Sequence, residues 1–230
     1  LLEAVARLEE AFDGALAGQE GLVVVVDVAG HQVGGFGVST DGGNSFTNKT
    51  AGLGSNVTVG VSSVGSNVYV ATTGGVSISA DGGNTFINKT TADGLGSNSI
   101  RGIFAMGNSV YAATSDNGLS ISTDGGNTFI NKTTADGLGN NSLFNASAVG
   151  STVYAATTSG LSISTDGGVS FINKTTTNGL GNNVVRGIFA VGSTVYAATQ
   201  GGLSISTDGG ASFTNRTTAN GLGHNVVLGI

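Results

Sequence analysis

Ser122-Thr123-Asp124-Gly125-Gly126-Asn127-Thr128-Phe129 decides how this chain is read, because the same stretch returns with small changes four more times. Its aspartate recurs at Asp41, Asp81, Asp124, Asp166 and Asp208, at successive spacings of 40, 43, 42 and 42 residues. A fixed period of this length marks a tandem array. Working outward from the last copy, Val184 to Ala190, Thr194 to Thr199, Leu203 to Ser206 and Ser212 to Arg216 read as four short strands. The Asp-Gly-Gly tripeptide joins the third to the fourth, since a tight hairpin turn with positive φ suits glycine and tolerates aspartate. In the second strand Val68, Val110, Val153 and Val195 each open a Val-Tyr-(Val/Ala)-Ala-Thr run, with small residues suited to close sheet-on-sheet packing.

A four-stranded unit of this size cannot cover both of its faces alone, and stacking each unit on the next around an axis does so. The expected fold is therefore all-β, a β-propeller of about five four-stranded antiparallel blades of ~42 residues. Residues 1–20 stand apart. Leu1, Val5, Leu8, Phe12 and Ala15 follow helical spacing among Glu3, Glu9 and Glu10, which predicts a short amphipathic helix or linker. The propeller is expected over 21–230, with Leu22 to Val28 as a second strand and the first blade completed by residues 226–230. A first-strand role for Leu22 to Val28, and a larger propeller of which this is a part, remain as alternatives.

Composition narrows the chemistry. The chain has 41 glycines in 230 residues, only 10% charged residues and a net charge of -6. Its lysines are scattered one per repeat, so no basic stripe gathers phosphates and nucleic acid is not an expected partner. The longest apolar run, Leu22 to Val26, is far short of the ~20 residues that span a bilayer, so membrane insertion is not expected. With no cysteine and only His31 and His224, no metal site or cofactor is expected either.

The five Ser-x-Asp-Gly-Gly-x-(Ser/Thr)-Phe elements, ending at Phe46, Phe86, Phe129, Phe171 and Phe213, resemble the Asp box of sialidase-like (BNR) propellers. Thr91 to Asn98 and Gly201 to Ser204 look like propeller repeats of bacterial two-component sensors. The resemblance covers roughly residues 30–230. It implies a structural role for Asp41, Asp81, Asp124, Asp166 and Asp208 on outer hairpins, away from the ligand face. It also implies a bacterial, extracellular or periplasmic setting.

A sialidase-like glycoside hydrolase is the obvious enzyme alternative, and the residue inventory argues against it. Most glycosidases need two carboxylates, and sialidases a tyrosine nucleophile. Every glutamate (Glu3, Glu9, Glu10, Glu20) precedes the repeats, which offer only Asp93, Asp116 and Asp136 beyond the turns. Tyr69, Tyr111, Tyr154 and Tyr196 share one repeat position and read as core. No catalytic residue is assigned.

The expected function is a non-catalytic binding module for a protein, a glycan or a small acidic ligand, with a purely structural array as a further alternative. On the face opposite the Asp-Gly-Gly turns, the polar loops Thr91 to Ser99, Thr134 to Ser142, Thr176 to Val184 and Thr218 to Val226 are candidates for recognition. One position at the start of the first strand changes chemical type from repeat to repeat: Val59, Arg101, Phe144, Arg186 and Leu228. These five are the candidate ligand-binding residues, placed at the mouth of the central channel. Eight Asn-x-Ser/Thr triplets, four of them Asn-Lys-Thr, read as products of repetition rather than glycan acceptors. The lysines of those triplets are expected to guard the outermost strands against edge pairing.

Overall fold

The computed structural model describes residues 23–26, 35–39, 41 and 43–230. The helix expected over residues 1–20 lies outside the described residues.

The described chain is all-β, apart from four single-turn 3-10 helices. Its first sheet has three strands, β1 (Val23–Val26), β2 (Phe36–Ser39) and β3 (Thr47–Lys49). Four antiparallel four-stranded sheets follow, each with its strands in chain order. The second sheet holds β4 (Thr58–Val64), β5 (Asn67–Thr72), β6 (Gly75–Ser79) and β7 (Ile87–Lys89). The third holds β8 (Ile100–Met106), β9 (Ser109–Thr114), β10 (Leu119–Ser122) and β11 (Ile130–Lys132). The fourth holds β12 (Leu143–Val149), β13 (Thr152–Thr157), β14 (Gly160–Ser164) and β15 (Ile172–Lys174). The fifth holds β16 (Val185–Val191), β17 (Thr194–Thr199), β18 (Gly202–Ser206) and β19 (Thr214–Arg216).

Both irregular spacings have local causes. The 43-residue interval arises where the β9–β10 turn, Thr114 to Gly118, is one residue longer than its counterpart Thr157 to Gly160. The 40-residue interval reflects a shortened link after β3, which forms no 3-10 turn, whereas Thr91–Asp93, Thr134–Asp136, Thr176–Asn178 and Thr218–Asn220 do so in the later links. Within the stretch expected as a second strand, Val23–Val26 takes that place, because β1 pairs with β2 in the register that β5 has with β6.

The core lies between sheets. In the second, third and fourth sheets the face turned toward the successor carries a tyrosine, a small residue and Leu/Val/Ile; the receiving face carries Leu, Val/Ile, Ala and the Phe that closes the turn motif. Between the third and fourth sheets these are Tyr111, Ala113, Leu119 and Ile121 against Leu143, Ala146, Ala148, Val153, Ala155 and Phe171. The same arrangement recurs between the second and third and between the fourth and fifth. Burying such side chains supplies about 1.5–3 kcal/mol each, so the sheet-to-sheet contact is what holds the array together.

The Ser-x-Asp-Gly-Gly turns hold their shape through a closed set of bonds. Ser122 Oγ donates to Asp124 Oδ1 (2.7 Å) and accepts from the Gly126 amide (2.8 Å). Asp124 also accepts from the Thr128 amide and hydroxyl. Gly126 has φ 89°, and a Cβ there would stand 2.4 Å from Ile78 Cδ1 of the second sheet, so a side chain is excluded both by the turn and by the neighbour. Tyr69 and Tyr154 reach in the same direction, their hydroxyls donating to the Gly125 and Gly209 carbonyls.

Candidate functional site

Two ends of each sheet can be told apart by their hydrogen bonds. At one end the strand-one/strand-two turn bonds to the Asp-Gly-Gly turn, as in Gly125 N–H to Asn108 O (2.9 Å). At the other, the strand-two/strand-three turn bonds to the residue leading into strand one, as in Ser115 N–H to Ser99 O (3.0 Å). The variable position of the sequence lies at this second end.

That position is a β-bulge in every complete sheet. The pairing of strand one with strand two shifts register at Val59, Arg101, Phe144 and Arg186, in each case by skipping that residue. A bulged residue is unpaired and its side chain is re-aimed. The following residue is Gly60, Gly102, Asn145 or Gly187, and at two of these the lack of a side chain lets the next segment approach closely: a Cβ on Gly102 would stand 2.8 Å from Phe144 O, and one on Gly187 3.2 Å from Gly229 Cα. A glycine inside a strand pattern was the signal available for this feature.

Three of the five candidates come together. The Arg101 guanidinium carbon lies 5.3 Å from the Phe144 ring centroid and that of Arg186 lies 4.9 Å from it, so one ring is stacked by cations from the sheets on either side. Arg101 also donates from Nη1 to Ser142 Oγ (3.0 Å), a partner that the sequence reading did not single out. Val59 and Leu228 take the same repeat position to either side and are exposed. Among the described residues the only ion pairs are Lys89–Asp93 and Lys132–Asp136, so neither arginine has a carboxylate partner there. Arg186 Nε is buried without a hydrogen-bond acceptor. An anion placed here would meet two cations without carboxylate partners among the described residues.

The polar loops expected to carry recognition are instead occupied with holding themselves and the next sheet. Thr90 and Asp93 form a reciprocal capping box, Asn98 Oδ1 accepts from the Thr91 amide, and Asp93 O accepts from the Phe129 amide of the third sheet. The asparagines of the repeated triplets are structural too: Asn173 accepts from Ser162 Oγ and donates to Ser159 O, and Asn88, Asn131 and Asn215 do likewise. Their lysines tie neighbouring sheets, with Lys89 Nζ donating to Asn127 O (3.0 Å) and Lys132 Nζ to Val169 O (3.1 Å).

Most carboxylates are committed. Hydrogen bonds from Ser45, first through its hydroxyl, pull Asp41 down to about 2, and Asp124 falls to about 2 chiefly through Ser122. Asp81, Asp166 and Asp208 are depressed well below the usual range, each first by the serine two residues before it. Asp93 and Asp136 are lowered by the amides of Thr90 and Thr133. Among the described aspartates only Asp116 makes no hydrogen bond or ion pair; it sits in the β9–β10 turn, next to Ser115. Burial pushes the Tyr69 and Tyr154 phenols upward, which keeps them protonated. An open depression of about 540 Å³ between the second and third sheets is lined by Asp81, Asp124 and Lys89, all of them already engaged. No group of three His, Cys, Asp or Glu able to hold a metal exists among the described residues. His224 Nδ1 accepts from the Val226 amide.

No family model and no curated protein matches this chain. Among solved structures, it is similar to an ancestral GH74 enzyme, with a TM-score of 0.70 and 19% identity over 92% of this chain and 31% of that one. It is also similar to the extracellular domain described as that of a hybrid two component system from B. thetaiotaomicron, with a TM-score of 0.64 and 19% identity over 87% of this chain and 30% of that one. A GH74 enzyme from Niastella koreensis matches at a TM-score of 0.57 and 21% identity, over 86% and 30% of the two chains. The chain thus spans about a third of the length of these structures. At such identities the likeness is one of fold, a propeller-type array of repeats shared by enzymes and sensor domains alike.

Proposed function

We propose that this chain is a non-catalytic binding module whose ligand, a small acidic molecule or an acidic group of a protein or glycan, is held by Arg101, Phe144 and Arg186. The observation that carries this reading is the stack of two guanidinium groups, free of carboxylate partners among the described residues, on one ring at successive bulges. Val59 and Leu228 extend the same rim with apolar contact. Asp41, Asp81, Asp124, Asp166 and Asp208 form Asp-box turns with a structural role, and the propeller comprises residues 21–230 beside an N-terminal helix or linker over 1–20. Residues 226–230 supply the first strand that the first sheet lacks. The sensor-type extracellular domains with this fold support an extracellular or periplasmic setting.

Isothermal titration with citrate and a polyglutamate peptide, alongside a glycan array, tests the site. We expect saturable binding to an acidic ligand that falls at least tenfold in Arg101→Ala and Arg186→Ala, with unchanged circular dichroism. Binding that is indifferent to both substitutions would refute the assignment.

The fold shared with GH74 enzymes favours a glycoside hydrolase as the second reading. Two carboxylates would have to flank a glycosidic bond, yet Asp116 stands alone as the uncommitted one among the described residues. Release of reducing ends from a polysaccharide, abolished by Asp116→Asn, would establish that reading instead.

A further inference from the structure

The row of bulges runs as cation, ring, cation. Arg101 stands on β8, Phe144 on β12 and Arg186 on β16, and β8 and β16 pack against β12 from the sheets on its two sides. The guanidinium carbons lie 5.3 Å and 4.9 Å from the centre of the same ring, so the two charges are no farther apart than those distances laid end to end. A few carbon–carbon bonds span such a separation.

The two arginines are held differently. Arg101 is exposed and is steadied by its Nη1–H bond to Ser142 Oγ (3.0 Å), in the segment that leads into β12. Arg186 is half-buried, its Nε has no acceptor, and it takes part in neither of the ion pairs among the described residues, so it rests on Phe144. Phe144 is itself only half-buried, which leaves apolar surface between the two charges.

A carboxylate pairs most strongly with a guanidinium through both of its oxygens at once, and that fork occupies one arginine per acid. A single acid therefore satisfies one of the two cations and leaves the other unpaired. A molecule with two acids satisfies both, and once the first is bound the second meets its partner at the high effective concentration that a short link provides. The link lies over Phe144, where methylene groups gain by leaving water and hydroxyl groups lose their hydration without replacement.

We propose that the site takes a small unbranched diacid, with one carboxylate on Arg101, the other on Arg186 and an apolar link across Phe144. This rests on the reading above that these three residues form the ligand site, and it names the class of ligand: neither a monoacid nor a sugar diacid matches all three groups.

Isothermal titration at fixed ionic strength compares hexanoate, adipate and glucarate, which share a chain length and carry one acid, two acids, and two acids joined by hydroxylated carbons; a series from succinate to suberate varies the reach. We expect adipate to bind at least about tenfold more tightly than hexanoate or glucarate, an optimum within the length series, and a fall of adipate to the hexanoate level in Arg101→Met and in Arg186→Met with unchanged circular dichroism. Equal affinity for adipate and hexanoate, both lowered in the two variants, would overturn the diacid and leave the three-residue site standing. Affinity that climbs steadily with length, or does not change with it, would overturn the bridge between two fixed cations, and glucarate matching adipate would overturn the apolar link. Binding of citrate without binding of any member of the series also overturns the diacid alone, whereas failure of citrate and every diacid alike removes the site with it.

Discussion

At one end of each sheet the Ser-x-Asp-Gly-Gly turn is made of the same atoms every time, and its carboxylate, hydroxyl and amides all find one another. At the other end the bulge carries Val59, then Arg101, Phe144 and Arg186, and the two cations lack carboxylate partners among the described residues. Uniform, satisfied groups are what a scaffold requires of every repeat. Groups that differ between repeats and leave charge uncompensated contribute little to folding, so their presence points to something outside the chain. The contrast predicts that damage at the turn end is read as stability, and damage at the bulge end as binding.

Acid should break the turn end most severely, because it acts on all five turns together. Each turn aspartate has a folded pKa below its ordinary value of 3.8, so its stabilising contribution is fully present above that value and is lost as pH falls through the folded one, about 2 for Asp41 and Asp124. Thermal melting followed by circular dichroism should show a midpoint that declines steadily between pH 4 and pH 2 and changes little from pH 5 to 8. A flat profile to pH 2 would mean that the carboxylate bonds are not what fixes the turns.

A single turn can be opened with Ser122→Ala. Ser122 is buried, and its loss leaves the Gly126 amide without an acceptor and Asp124 without its strongest donor. The expected cost is about 1–3 kcal/mol, read as a lower urea midpoint. Because the array is held by neighbour contacts, hydrogen exchange should rise mainly in the third sheet and its two neighbours.

How much of this was legible in the sequence depends on the range of the interaction. The strands and the turn were readable because alternation and Asp-Gly-Gly are local signals, and the row at Arg101, Phe144 and Arg186 stood out because it interrupts an otherwise uniform repeat. That the row is a chain of bulges was signalled by Gly60, Gly102 and Gly187 but not read. The polar loops were read as recognition elements although Thr90-x-x-Asp93 carries a capping-box spacing, and the lysines were read as edge guards although Lys89 and Lys132 bond to the following sheet. Contacts between consecutive repeats have no signature in one repeat taken alone.

Phe144→Leu sharpens the comparison from the middle of the bulge row. It keeps apolar volume and removes the ring that both guanidinium groups stack on, so the loss of stability should be about 1 kcal/mol. Affinity for an acidic ligand should fall by a larger factor than this implies, because both arginines lose the surface that orients them. An equal fall in stability and affinity would show that the ring acts only as packing.

The smallest effect on stability is expected from Arg186→Met, and for that reason it is the most informative. The buried Nε of Arg186 has no acceptor, and an unsatisfied buried donor costs about 1–3 kcal/mol. Replacing it with an apolar side chain of similar length keeps the contact with Phe144 and relieves that cost, so stability should be unchanged or slightly raised. A cation retained against the stability of its own fold is what a binding site produces and a scaffold does not. If Arg186→Met melts no lower than the parent and no longer binds acidic ligands, the two ends of the sheet have separate roles. If it melts markedly lower, the guanidinium belongs to the scaffold, and the row at Arg101, Phe144 and Arg186 must be read as structure.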